Sequence, residues 1–197
     1  MKVLVINKFL TPQECENVIN LTTIYKEDKS MRVDLNTPKF DLTEKVSRKY
    51  WSINSKHSLV DRIRKIAENK WGIPLFPHAH FHLMHYLEKG NGLKIHAEPK
   101  IATVSASINL SPAGHIGGDF YIKNMPNINL QQGDLILYDS DIMHGVTPLE
   151  SGQRYSFVLW MRNTEQYESY SNKQLRQSTK DLSQESGEEW CFERSEK

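Results

Sequence analysis

Cysteine is scarce in this 197-residue sequence: Cys15 and Cys191 stand at opposite ends, without the spacing of a thiolate metal site or a disulfide framework. Any metal must therefore be held by histidines and carboxylates. Long apolar runs are also missing, since Val3-Leu4-Val5-Ile6 is cut off by Asn7 and Lys8, too early for a signal peptide, and no other stretch approaches a bilayer span. Nor is there an excess of either charge. Twenty-five Lys and Arg face twenty-four Asp and Glu, a net charge of +1, and this argues against nucleic-acid or anionic-membrane partners. The expectation is a soluble, cytoplasmic protein whose length fits one substantial core.

What is present reads first as helix, then as strand. After a short apolar stretch, Thr11-Pro12-Gln13-Glu14 supplies an N-cap, a proline at the first helical position and a capping-box glutamate. A helix from about Pro12 to Thr23 follows, with Cys15 on its apolar face as a core thiol. Residues 26 to 56 read as an irregular polar loop with room for one strand. A second helix, about His57 to Lys70, carries Leu59, Ile63 and Ile66 on one side and stops near Trp71-Gly72-Ile73-Pro74. Both helices are expected outside a sheet.

From Pro77 the period changes to two. Phe81 and Leu83 alternate with His80, His82, Met84 and Tyr86, and further strands are predicted at Thr103–Leu110, Asp119–Ile122, Asp134–Tyr138 and Arg154–Met161. Their spacing points to a mainly β sandwich or jelly roll with a core over about 77–162. Beyond Arg162 the chain turns polar. Residues 1–163 are thus expected to form the domain and 164–197 a polar, partly helical tail that docks by its aromatic end, Trp190-Cys191-Phe192.

Within Ile95-His96-Ala97-Glu98 the imidazole and the carboxylate lie two positions apart, so on extended backbone they share a face and can share a metal. The best third ligand is His144, just past the strand Asp134–Tyr138. Two histidines and one carboxylate leave positions open on an octahedral iron, as O₂ chemistry requires, whereas a structural zinc site is closed by protein ligands. Ten positions beyond His144, Arg154 shares strand parity with Ser156. Its guanidinium fork suits a carboxylate and would anchor a dicarboxylate co-substrate whose other end chelates the metal.

His96-x-Glu98, His144, Gly145-Val146-Thr147-Pro148, Gly152-x-Arg154-Tyr155-Ser156 and Trp160, with Gly117-Gly118-Asp119-Phe120 and Tyr86, resemble the iron(II)- and 2-oxoglutarate-dependent oxygenases of the prolyl 4-hydroxylase type. The resemblance covers roughly Tyr86 to Trp160, and Phe9 to Cys15 is similar to how such domains begin. It implies a double-stranded β-helix, Fe(II), 2-oxoglutarate and O₂ as cofactor and co-substrates, and oxidative decarboxylation coupled to hydroxylation of a C–H bond. It also implies that Arg154 binds the distal carboxylate of 2-oxoglutarate, with Ser156 and Tyr86 as hydrogen-bonding helpers. One departure stands out: the family usually has Asp where this chain has Glu98.

Other readings stay open at this level. A cupin-like metalloprotein would share the jelly roll without needing Arg154, and a binding domain could keep the metal without the reaction. His78, His80 and His82 suggest a second metal, but no carboxylate or cysteine completes them, so they read as structural or as lining the substrate mouth. Gly117 and Gly118 read as serving a bulge or a tight backbone approach, and Trp160 as core. The substrate is expected to be a peptidyl proline or a small metabolite.

Overall fold

The computed structural model describes residues 2–28, 49–87, 89–126 and 128–173. Its helices begin and end where local chemistry says they should. Helix α1, Pro12–Ile24, is capped by Thr11, whose side chain accepts from the Glu14 amide while the Glu14 carboxylate accepts from the Thr11 amide, a complete capping box. Helix α2, Ser58–Trp71, starts at His57, whose Nδ1 accepts from the Leu59 amide, and ends at Gly72 with φ of 71°. That left-handed C-cap is cheap only for glycine.

The strands run β1 (Val3–Ile6), β2 (Lys49–Asn54), β3 (Phe76–Pro77), β4 (His80–Tyr86), β5 (Leu93–His96), β6 (Val104–Asn109), β7 (Ile116–Gly117), β8 (Phe120–Ile122), β9 (Leu135–Asp139), β10 (His144–Val146), β11 (Leu149–Ser151) and β12 (Arg154–Arg162). A large antiparallel sheet has the order β1-β9-β6-β12-β4-β2, with β3 also paired to β12. A small sheet, β5-β10-β8, and a two-stranded ladder, β11-β7, complete the double-sheet architecture. The sequence places β2 inside a loop, and the residues before it, 29–48, lie outside the described ones, as do Trp190, Cys191 and Phe192 of the tail.

Strand parity divides the large sheet into two faces. Phe81 and Leu83 of β4, Ala106 and Ile108 of β6, and Phe157 and Leu159 of β12 are almost completely buried. They join Cys15 and Val18 of α1 and Val60 and Ile63 of α2 in the main core. Burying such side chains contributes about 1.5–3 kcal/mol each. The helices therefore cover one face and leave the alternate residues for the other. Trp71 at the end of α2 donates its indole N–H to Asp139 Oδ1 at 2.6 Å, which joins the helix to β9.

The C-terminal tail begins as a helix, 164–173. Tyr167 stacks on Phe76 with ring centroids 4.5 Å apart, and Arg162 lies 3.9 Å from the centre of the Tyr170 ring. The helix over 164–173 thus meets the rest of the described residues through two tyrosines and through Gln166, which accepts from the Thr103 hydroxyl and donates to the Pro99 carbonyl. No helix among them is long and apolar enough to cross a membrane.

Candidate metal centre

The uncovered face of the large sheet is unusually polar for a buried surface. Registers of β12 place Arg154 opposite Tyr86, Ser156 opposite both Met84 and Asn109, and Trp160 opposite Ser105. These residues are all at most 9% exposed, so they face an enclosed space rather than water. A buried polar row of this kind is expensive unless something satisfies it. The space is a cleft between the large sheet and β5, β8 and β10, lined by residues of both.

At one end of that cavity, β5 and β10 bring two histidines together, because His144 is the direct antiparallel partner of His96. Their ring centroids are 4.4 Å apart. Glu98, two residues beyond His96, reaches the same point with Oε1 3.5 Å from His96 Nε2. One ligand atom from each of His96, Glu98 and His144 lies within 4.8 Å of the other two, a spacing that admits a single cation.

Both imidazoles are oriented from behind. Nδ1 of His96 meets the carbonyl of Lys94 at 2.8 Å, and Nδ1 of His144 meets the carbonyl of Ile142 at 2.9 Å. A carbonyl only accepts, so each Nδ1 carries a proton, and each Nε2 is the nitrogen left to face a metal. This backing of a metal-ligating histidine fixes its tautomer and ring plane. Burial also lowers the pKa of His144, which favours the neutral, ligating form.

Glu98 is held differently. Burial pushes its carboxyl up, yet hydrogen bonds from His96 and Trp160, with the nearby histidine charges, outweigh that and bring it below the ordinary value. It is a carboxylate in the working range. Its Oε2 accepts from the indole N–H of Trp160 at 2.6 Å and from the hydroxyl of Ser105 at 3.0 Å. The sequence reading of Trp160 as simple core is therefore incomplete: the ring is buried, and its N–H serves the carboxylate.

Arg154 occupies the far end of the same cavity. Its side chain is buried, with the guanidinium carbon 5.1 Å from the centre of the Tyr86 ring and Nη1 lacking any hydrogen-bond partner. Burial lowers its pKa, but an arginine stays charged in a protein. An unpaired cationic nitrogen in this position calls for an anion. Gly118 makes room for the side chain: it has φ of +72°, and a methyl group there would stand 2.8 Å from Arg154 Cδ. Gly117 serves the backbone instead, since its added methyl would meet the Pro148 carbonyl at 2.3 Å.

The histidine trio does not form a second metal cluster among the described residues. His78 Nε2 bonds to the Ile101 carbonyl at 3.0 Å, His80 is exposed, and His82 lies edge-on to Trp160 with ring centroids 4.8 Å apart. Residues that sequence reasoning missed include Ser105 and Tyr138, whose ring lies 4.7 Å from that of His144. A signal was present in Val104-Ser-Ala-Ser-Ile-Asn109, where small polar residues alternate with apolar ones along a strand buried on both faces.

Comparison with known proteins agrees with this geometry. Residues 80–162 match the family model of the 2OG-Fe(II) oxygenase superfamily. A PKHD-type hydroxylase of Shewanella sp. strain ANA-3 is 33% identical over 78 residues, which cover 37% of this chain and 35% of that protein. The match thus spans about a third of the relative's length. Among solved structures, the viral collagen prolyl hydroxylase of Paramecium bursaria Chlorella virus-1, in its 2OG complex, superposes with a TM-score of 0.63 at 17% identity, covering 83% of this chain and 97% of that one. HygX from Streptomyces hygroscopicus, bound to nickel, 2-oxoglutarate and hygromycin B, gives 0.58 at 15% identity, covering 82% and 83%. The architecture is the double-stranded β-helix of these enzymes, and residues 80–162 are similar to the 2OG-Fe(II) oxygenase superfamily.

Proposed function

We propose that this protein is an Fe(II)- and 2-oxoglutarate-dependent dioxygenase that hydroxylates a C–H bond. His96, Glu98 and His144 hold the metal, while Arg154, helped by Ser156 and Tyr86, holds 2-oxoglutarate. The observation that carries the reading is Arg154 Nη1, buried without a hydrogen-bond partner in the cavity that also contains the ligand triad. A dicarboxylate would pair with that guanidinium at one end and reach the ligand triad at the other. A cupin-like metalloprotein has no use for such a residue.

The side chains position and shield rather than react. Lys94 and Ile142 fix the ligand tautomers through their carbonyls, Trp160 and Ser105 fix Glu98, and the sheet-buried walls exclude water. The oxidising power comes from iron, 2-oxoglutarate and O₂ together, which no side chain replaces. The substrate we propose is a peptidyl proline or a small metabolite, since the solved relatives include a collagen prolyl hydroxylase and an enzyme bound to hygromycin B. A cytoplasmic location and a catalytic unit over residues 1–163 belong to the same reading. The near-neutral charge and the free, buried Cys15 support it.

Anaerobic titration tests the core of the proposal. Adding Fe(II) and 2-oxoglutarate together should produce a charge-transfer absorption that neither gives alone, and Arg154→Ala should lose it. A band that persists in Arg154→Ala, or never forms in the wild type, rejects the assignment.

A further inference from the structure

We propose that Trp160, with Ser105, is a positioning residue that makes Glu98 a one-oxygen ligand and fits this site to glutamate rather than aspartate. The inference rests on the metal reading above and goes beyond it. Glu98 is pinned at both ends. Its backbone N–H donates to the Ser140 carbonyl at 2.6 Å, and its own carbonyl accepts from the amides of Ile101 and Ala102 at 2.9 and 3.1 Å. Its Oε2 is taken by the Trp160 indole N–H and the Ser105 hydroxyl. Oε1 is the oxygen that meets His96, 3.5 Å from its Nε2.

The hydrogen-bond chain has a direction. An indole N–H only donates, so Oε2 is the acceptor. Ser105 spends its single proton on Oε2, which leaves Ser140 to donate across the 2.7 Å contact between the two hydroxyls. Bonds to an ionised carboxylate are the strong, short kind, and a buried indole N–H needs a partner. The clamp therefore satisfies Trp160 while denying the metal a second oxygen from Glu98.

Side-chain length follows from this arrangement. Removing one methylene would draw the carboxylate back by about 1.5 Å, one carbon–carbon bond. With the backbone fixed at Ser140, a shortened side chain could keep the indole or face the imidazoles, but not both. Glu98→Asp would restore the family's usual ligand and yet weaken this site.

Mn(II) alone serves as the probe, because its binding and its paramagnetic resonance spectrum need no turnover. Trp160→Phe keeps the ring and deletes the N–H; it should bind Mn(II) about tenfold or more weakly, as loss of an outer hydrogen-bond partner generally does, with an altered spectrum of the bound ion. Glu98→Asp should fall by a similar factor. Melting without metal separates a packing loss from a loss at the site. Affinity within about twofold of wild type together with an unchanged spectrum in Trp160→Phe overturns the clamp. If that variant does not fold, Ser105→Ala decides in the same way, with weaker binding expected. A wild type that binds no Mn(II) overturns the metal reading itself, and the clamp with it.

Discussion

Replacing Arg154 by methionine should move two measured quantities in opposite directions. The wild-type side chain is 2% exposed and its Nη1 has no hydrogen-bond partner. Leaving a buried donor unsatisfied costs about 1–3 kcal/mol, and more when the group is charged. Against this stands the contact with the Tyr86 ring, worth about 1 kcal/mol. Methionine keeps most of the stem and removes the charge, so the metal-free protein should gain about 1–2 kcal/mol. For a chain of this size that is a rise of roughly 2–8 °C in melting temperature. Co-substrate binding should change the other way. With Mn(II) present and 2-oxoglutarate at about a hundredfold over its Kd, the wild type should gain about 2.7 kcal/mol, and the variant nothing. Differential scanning fluorimetry in EDTA, in Mn(II), and in Mn(II) with 2-oxoglutarate reads both effects. A methionine variant that melts below the wild type in EDTA and is still stabilised by 2-oxoglutarate would refute the reasoning.

Gly118→Ala tests the space beside the guanidinium. The added methyl meets Arg154 Cδ at 2.8 Å on a backbone with φ of +72°, so 2-oxoglutarate affinity should fall about tenfold while Mn(II) affinity holds, as calorimetry would show. Acid sensitivity should trace to His82, whose pKa is lowered from 6.5 to about 4, by burial first and then by the charges of His78 and His80. The unfolded chain takes up that proton and the native one does not, so the stability from a neutral His82 is complete above pH 6.5 and declines as pH falls toward 4, by up to about 3 kcal/mol. Urea unfolding across this window should show a shallower dependence in His82→Gln, and parallel curves would contradict the assignment.

The parts of this fold that local chemistry determines can be read from the sequence. Thr11 and Glu14 mark the start of α1, Gly72 marks the end of α2, and both helices agree with expectation to within a residue or two. Period-two parity likewise places Arg154 and Ser156 on one face of β12, whereas Glu98 meets His96 from beyond the end of β5. What stays hidden depends on contacts far along the chain. The Trp160 N–H finds Glu98 across 62 positions, and its ring looks like ordinary core until the fold brings them together. Strands β7, β10 and β11 have only two or three residues each, too few to show a period. The second glycine of Gly117-Gly118 gives no hint in sequence that it accommodates an arginine from β12.

The direct pairing of His96 with His144 has a mechanical consequence. It belongs to a short ladder whose next pair, Val146 with Leu93, is already shifted in register. Few backbone bonds hold β5 to β10, so an ion gripped by both rings would fasten that seam more firmly than the peptide groups do. Iron would then be a structural closure as well as a reagent. The cohesion of the small sheet would follow the supply of metal, and Glu98, held by Trp160 and Ser105, would tie it to the helix-backed sheet.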